Sequence, residues 1–168
     1  MKKEKNKEIE KKFLIKYPRK DFLDSIPSCD ISEIVQTYLI SEEGVTRRVR
    51  SRRYADEVRY TKTEKRRISD MSCFEDEREI SESEYLDALE FADPTRCQVK
   101  KTRLLKKSGA HIFEIDIYPF WIDRAIMEVE LSSEDESFTL PKDIEIIRDV
   151  TSDHRYKNIS LAYEIPNE

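Results

Sequence analysis

The stretch Glu8-Ile9-Glu10-Lys11-Lys12-Phe13-Leu14-Ile15 decides how the chain is read. Drawn as an extended strand, it sends Glu8, Glu10 and Lys12 to one side and Ile9, Phe13 and Ile15 to the other. The same period of two returns near 33–40, 45–53, 58–67, 73–80, 97–107, 111–118 and 125–132, which with 7–15 makes eight candidate strands. Glu42-Glu43-Gly44 and Lys107-Ser108-Gly109-Ala110 read as hairpin turns, because glycine reaches positive φ at no steric cost. Ser81-Glu82-Ser83-Glu84 is a capping box that opens a short helix to about Ala92, stopped by Asp93-Pro94. A second helix is expected over Ser152 to Ala162. Eight strands with a few short helices predict one mostly antiparallel β domain over 1–168, closed or nearly so, with residues 1–6 frayed.

The polar faces of these strands are sorted by charge. Glu114 and Asp116 oppose Phe113, Ile115 and Ile117, and Glu128 and Glu130 oppose Met127, Val129 and Leu131. Glu75, Glu77 and Glu79 form another acidic row, while Arg48, Arg50 and Arg52, and Lys101 with Arg103, form basic ones. Like charges in a row repel, so a sequence selected for folding alone would mix the signs. The sorting makes sense if every row points into one lumen. A barrel of about eight strands has room there for a small ligand. Because buried unpaired charge is costly, such a lumen is wet, internally paired, or filled by cation and anion.

Composition narrows the classes. The 168 residues include 31 Lys plus Arg against 36 Asp plus Glu, a net charge of -5, so no global excess exists to coat a nucleic acid polymer. With only 2 Gly, glycine-rich phosphate loops are excluded. Cys29, Cys73 and Cys97 are far apart and form no CxxC pair, which fits reduced thiols and not a zinc ribbon or a disulfide framework. No apolar region follows the basic N-terminus, and no run of about 18 apolar residues occurs. The expectation is a cytoplasmic protein with no membrane partner. His111 and His154 lack metal-ligand spacing and receive no role.

Clustered carboxylates with few His or Cys are hard-oxygen donors, suited to Mg²⁺ or Mn²⁺. Clustered Arg and Lys are what a phosphate chain needs. Together they suggest phosphoryl transfer, in which protein groups position the substrate and neutralise charge.

At this point the motifs resemble those of the CYTH, or triphosphate tunnel metalloenzyme, superfamily. Glu8-Ile9-Glu10-Lys11-Lys12 resembles its ExExK signature, Gln36-Thr37-Tyr38-Leu39 its QxYL strand, and Arg48-Val49-Arg50 its RxR. Thr63-Glu64-Lys65 resembles TxK, Glu75-Asp76-Glu77 the ExE strand, and Lys101-Thr102-Arg103 KTR. Glu114-Ile115-Asp116 and Glu128-Val129-Glu130 resemble the two later acidic strands. Val150 to Asn158 is similar to a VTxDxRYxN segment of bacterial inorganic triphosphatases.

The resemblance implies an eight-stranded antiparallel closed β-barrel, the triphosphate tunnel, with short helices outside and a C-terminal helix. It implies inorganic triphosphate held by Lys12, Arg48, Arg50, Lys65, Lys101 and Arg103. A divalent metal, Mg²⁺ or Mn²⁺, would be held by Glu8, Glu10, Asp116, Glu128 and Glu130. Glu75, Glu77 and Glu114 would hold the basic residues through ion pairs. The implied catalytic groups are Glu8, Glu130 and Tyr38, the last as proton acceptor, although a phenol takes up that role only beside cations. Lys157 is expected on a solvated helix surface. The alternatives on the same scaffold are a class IV-type adenylate cyclase or a thiamine triphosphatase, with Tyr118, Phe120 and Trp121 stacking on an organic group, and outside catalysis a polyphosphate- or nucleotide-binding module. The oligomeric state, homodimer included, is open.

Two departures bear on the site. Many members carry Arg two places before the ExE strand, where this chain has Cys73. The basic runs 47–53 and 62–67 allow two registers, and a slip of one residue would exchange the inward set. The phase that matches the motif leaves Arg47, Lys62 and Arg66 outside.

Overall fold

The computed structural model describes residues 6–167. Most of the segment expected to fray, residues 1–5, lies outside the described residues. The strands are β1 (Asn6–Lys16), β2 (Ile31–Leu39), β3 (Val45–Arg53), β4 (Val58–Arg67), β5 (Ser72–Ile80), β6 (Val99–Ser108), β7 (His111–Ile117), β8 (Arg124–Glu130) and β9 (Ile146–Asp149). Helices α1 (Lys20–Ser25), α2 (Glu82–Leu89) and α3 (Asn158–Leu161) lie between and after them.

Neighbouring strands run antiparallel in the order β5-β4-β3-β2-β6-β7-β8-β1, and β1 also pairs with β5. That last pairing closes an eight-stranded barrel. The first part of β1 serves β5 through Asn6–Ile9, and its later part serves β8 through Glu10–Lys16. The edge of β1 left open beyond Ile9 is covered by β9 at Phe13–Ile15. Gly44 and Gly109 take φ values of 78° and 59°, as the two hairpin turns require.

The barrel is inverted relative to a small barrel with an apolar interior. Its main apolar core lies outside the wall. Ile9, Phe13, Ile15, Phe113, Ile115, Met127 and Val129 point away from the lumen and are covered by Phe22 of α1, Ile26 and Ile144. Burying each such side chain stabilises the fold by roughly 1.5–3 kcal/mol, and this frees the lumen to be polar. A second cluster, Leu39, Val49, Ile80 and Tyr85, seats α2 on the outer face of β2, β3 and β5. A third lies at one rim, where Leu14, Tyr38, Val99 and Ile126 meet Tyr118, Trp121, Tyr156 and Leu161.

Several elements depart from the sequence reading. Helix α1 and strand β9 were not expected, being only 6 and 4 residues long and too short to show a period. The capping box is present, with Ser81 Oγ accepting from Glu84 N at 3.1 Å and Glu84 Oε2 accepting from Ser81 N at 2.8 Å. Helix α2 ends at Leu89, short of Ala92. The continuous helix expected over 152–162 is instead a 3-10 turn, His154–Tyr156, followed by the single turn α3. Lys157 between them is extended, at φ -73° and ψ 141°, and this divides the segment.

Candidate active site

The strand register gathers the sorted charges into the lumen. Across β1 and β8, Glu10 stands opposite Glu130 and Lys12 opposite Glu128. Glu114 faces Glu128, and Arg103 faces Asp116. On the other side Tyr38 pairs with Arg48, Gln36 with Arg50, Lys65 with Glu75 and Thr63 with Glu77. Arg47 points outward to Glu42 and Glu64, so the basic runs take the phase that the motif implied.

Inside is a cavity of about 230 Å³. Its acidic wall holds Glu8, Glu10, Glu75, Glu77, Glu114, Glu128 and Glu130, and its basic wall Arg48, Arg50, Arg52, Lys65 and Arg103. It meets a second cavity of about 530 Å³, which opens between the hairpins after β2 and β4 and the C-terminal segment. Glu8, Glu10, Arg48, Lys65 and Asn158 belong to both walls. Lys12, Tyr38 and Lys157 face the second cavity.

One side of the lumen, built by β6, β7 and β8, is internally paired. Lys101 Nζ donates to Asp116 Oδ2 at 2.5 Å, and both side chains are fully buried. Arg103 adds a fork to the same carboxylate, Nε to Oδ1 at 2.7 Å and Nη2 to Oδ2 at 2.8 Å. It also pairs with Glu114, and with Glu128 at 3.7 Å. Lys12 Nζ lies 3.1 Å from Glu128 Oε1. Burial alone would raise the pKa of Asp116, but Arg103 and then Lys101 hold it well below the usual carboxylate range. Against the same penalty, Lys12 brings Glu128 down to about 2. Burial and the neighbouring Arg103 draw Lys101 down to about 7.

The other side, from β3, β4, β5 and the start of β1, is more open. Lys65 Nζ reaches Glu8 Oε2 at 2.5 Å and Glu75 Oε2 at 2.9 Å. Gln36 Oε1 accepts from Arg48 Nη1 at 3.2 Å and from Arg50 Nη2 at 3.1 Å. Its Nε2 donates to the Tyr38 hydroxyl at 2.7 Å. Burial and Arg48 pull Arg50 down to about 9. Among the described residues nothing accepts from the buried Nε of Arg48. These guanidiniums lean on a neutral amide, with Glu77 the nearest acid to Arg48 at 4.0 Å, so their charge faces the cavity.

Carboxylates capable of holding a cation line the opposite wall. Glu130 forms no ion pair among the described residues, and the ion pair of Glu10 is with Lys12 at 3.9 Å. Two carboxylates directly opposed on a ladder repel, and a hard divalent cation relieves that. A separate group, Glu8, Cys73 and Glu75, brings its ligand atoms within 4.8 Å of one another. Here Cys73 Sγ donates to Glu8 Oε2 at 3.2 Å, and burial pushes the thiol up to about 12.

The sequence reading thus named most of the cavity wall. Lys101 and Asp116, read as phosphate and metal ligands, are instead sealed against each other behind that wall. Lys157 is half-buried on the second cavity, not on a solvated surface, because the extended backbone at 157 turns the segment inward. Arg52 was left out of the site, although its place in the Arg48, Arg50 row was the signal for it. Gln36 was singled out only within the QxYL-like strand and given no role, being an uncharged residue among charges. The aromatic trio is rim packing: Trp121 is 8% exposed and Tyr118 is buried, its hydroxyl donating to Asn158 Oδ1 at 2.6 Å.

The closed antiparallel barrel with sorted inward charges is the architecture that the resemblance of the motifs implied. No family model matches the sequence, and no curated protein does. Solved structures do. The inorganic triphosphatase NE1496 is 28% identical, with a TM-score of 0.57 over 95% of this chain and 97% of its own. In fold alone the chain is similar to PH1819 of Pyrococcus horikoshii OT3, 16% identical with a TM-score of 0.56 over 76% and 80% of the two chains. The same holds for the Hippeastrum protein HpAC1, described as having a dominant triphosphatase activity, 13% identical with a TM-score of 0.52 over 74% and 80%.

Proposed function

We propose that this chain is a divalent-metal-dependent hydrolase that releases the terminal phosphate of inorganic triphosphate bound in its tunnel. The observation that carries the reading is the pair Glu10 and Glu130, directly opposed on the ladder with Lys12 at 3.9 Å from Glu10, across a cavity from Arg48, Arg50, Arg52, Lys65 and Arg103. The similarity to the inorganic triphosphatase NE1496, at 28% identity, supports it.

The basic wall binds and aligns the phosphates, with Arg48 and Arg50 aimed by their shared bond to Gln36. Glu8, Glu10, Glu128 and Glu130 would hold Mg²⁺ or Mn²⁺, which supplies charge neutralisation at the phosphoryl oxygens. Lys101 and Asp116 act through Arg103, which they keep in place. Water attacks the terminal phosphorus in line, the bridging P–O bond breaks, and inorganic phosphate and pyrophosphate leave. Tyr38, whose oxygen already accepts from Gln36, is the candidate to take the proton of that water. We place the protein in the cytoplasm as one tunnel domain, since Cys29, Cys73 and Cys97 are all free thiols that a reducing compartment preserves. No helix among the described residues is long and apolar enough to cross a membrane.

Phosphate release should be measured with Mg²⁺ or Mn²⁺ on inorganic triphosphate, ATP and thiamine triphosphate, with Glu130→Gln as control. Metal-dependent release that is fastest from inorganic triphosphate and lost in the variant is expected. Binding of triphosphate without release from any of the three would overturn the hydrolase reading.

A further inference from the structure

Gln36 lies on β2 behind the basic wall and is fully buried, yet it touches three groups that face the cavities. Its Oε1 accepts from Arg48 Nη1 at 3.2 Å and from Arg50 Nε and Nη2 at 3.3 and 3.1 Å. Its Nε2 donates to the Tyr38 hydroxyl. Guanidiniums only donate, so the amide fits one way round, with its oxygen to the arginines and its nitrogen to Tyr38.

An amide is an unusual partner for the buried Arg48 and the half-buried Arg50. A buried Arg ordinarily has a carboxylate beside it. Arg103, across the lumen, has three, from Asp116, Glu114 and Glu128. Arg48 and Arg50 instead share one neutral oxygen, with Glu77 4.0 Å from Arg48. Among the described residues nothing accepts from the Nε of Arg48. Glutamate, almost the same shape as glutamine, would pair with both guanidiniums from this position. It would also cancel charge that now faces the cavity.

We propose that Gln36 is a charge-sparing positioning residue: it holds Arg48 and Arg50 in one orientation without neutralising either, and the lack of charge at position 36 sets how tightly the tunnel holds an anion. Gln36 itself meets no substrate and acts through the two arginines. The inference rests on the tunnel being the triphosphate site.

A residue that only filled its place would lose affinity in step with stability, and two variants separate the cases. Gln36→Glu keeps the shape and the arginine contacts and adds a charge. Gln36→Met keeps the approximate size, removes the contacts and adds no charge. The whole chain and both variants are compared by thermal melting and by calorimetric binding of inorganic tripolyphosphate without divalent metal. Gln36→Glu should melt at or above the wild type and bind about 10–100-fold more weakly, the worth of one charge-assisted contact. Gln36→Met should melt below the wild type and lose affinity by less than about tenfold, through arginines no longer held in place. Stability and affinity then rank the two variants in opposite orders. If Gln36→Glu melts below the wild type, or binds as tightly as Gln36→Met or more so, the charge-sparing role is overturned. If Gln36→Met binds as the wild type does, the positioning role is overturned. The expected ranking without phosphate release by the wild type would sink the hydrolase and leave the role of Gln36 standing. A wild type that binds no tripolyphosphate would sink both.

Discussion

The two sides of the lumen use the same kinds of residue for different ends. On the β6–β7–β8 side, Lys101 and Asp116 are sealed against each other at 2.5 Å, and Arg103, Glu128 and Lys12 pair with acids or bases at 2.7–3.7 Å along the cavity side of them. On the β3–β4–β5 side, Arg48 and Arg50 rest on the neutral Gln36, and of the facing carboxylates Glu10 has Lys12 at 3.9 Å while Glu130 forms no ion pair among the described residues. A fully buried charge with its counter-charge in place, as in Lys101 and Asp116, is scaffold. A charge without one is available to a ligand. Partnership, more than residue type, separates the two, and the following experiments press on that distinction.

The largest effect on the fold is expected at Asp116→Asn, which leaves Lys101 and Arg103 buried without their acid. Urea unfolding should show a loss of about 3–5 kcal/mol, part of it recovered when Lys101→Met is added. A loss under about 1 kcal/mol would show that the paired side is not a structural hub. Glu10→Gln should do the opposite: stability stays the same or rises as a like-charge contact goes, while phosphate release falls by about 100-fold or more. If that variant unfolds as Asp116→Asn does, the contrast between the two sides collapses.

Acid titration sharpens the comparison. Glu128 is held at about 2 against an ordinary 4.5, a folded value below the unfolded one. Its contribution is therefore complete above pH 4.5 and is lost as the pH falls toward about 2. That contribution is on the order of 3 kcal/mol. Thermal melts of the wild type and Glu128→Gln should converge as the pH is lowered through that window, with Asp116 supplying the acid sensitivity that remains.

The smallest effect is expected at Cys73→Ser. A hydroxyl can still donate to Glu8, so stability should move by no more than about 0.5 kcal/mol. In the native protein, a thiol pushed up to about 12 should react with iodoacetamide well after the exposed Cys29 and Cys97. Labelling of Cys73 first would contradict its bond to Glu8.

Much of this was legible beforehand because a β-strand has a period of two. That period placed Glu8, Glu10 and Lys12 on one face, and the resemblance of the motifs chose the phase that set Arg48, Arg50 and Lys65 against the outward Arg47, Lys62 and Arg66. Rows of like charge pointed to a shared lumen. The period says nothing of what lies across the lumen, so Lys101 and Asp116 read like open ligands when they are partners of each other. It also fails where the chain is neither strand nor long helix. Helix α1, strand β9 and the broken segment at 154–161 are too short to show periodicity, and their place is set by what they cover.

By itself, then, the sequence determined the alternation, the turns at Gly44 and Gly109, the capped helix at Ser81 and the sorting of charge. These are local properties, written in neighbouring residues and in backbone sterics. Only the tertiary structure decided which charges neutralise one another, that the apolar core lies outside the barrel wall, and that Lys157 faces the second cavity. Ion pairing and burial depend on residues brought together from distant parts of the chain, Lys12 to Glu128 and Lys65 to Glu8 among them. Closure of the barrel through β1 and β5 is what brings the last of these pairs into contact.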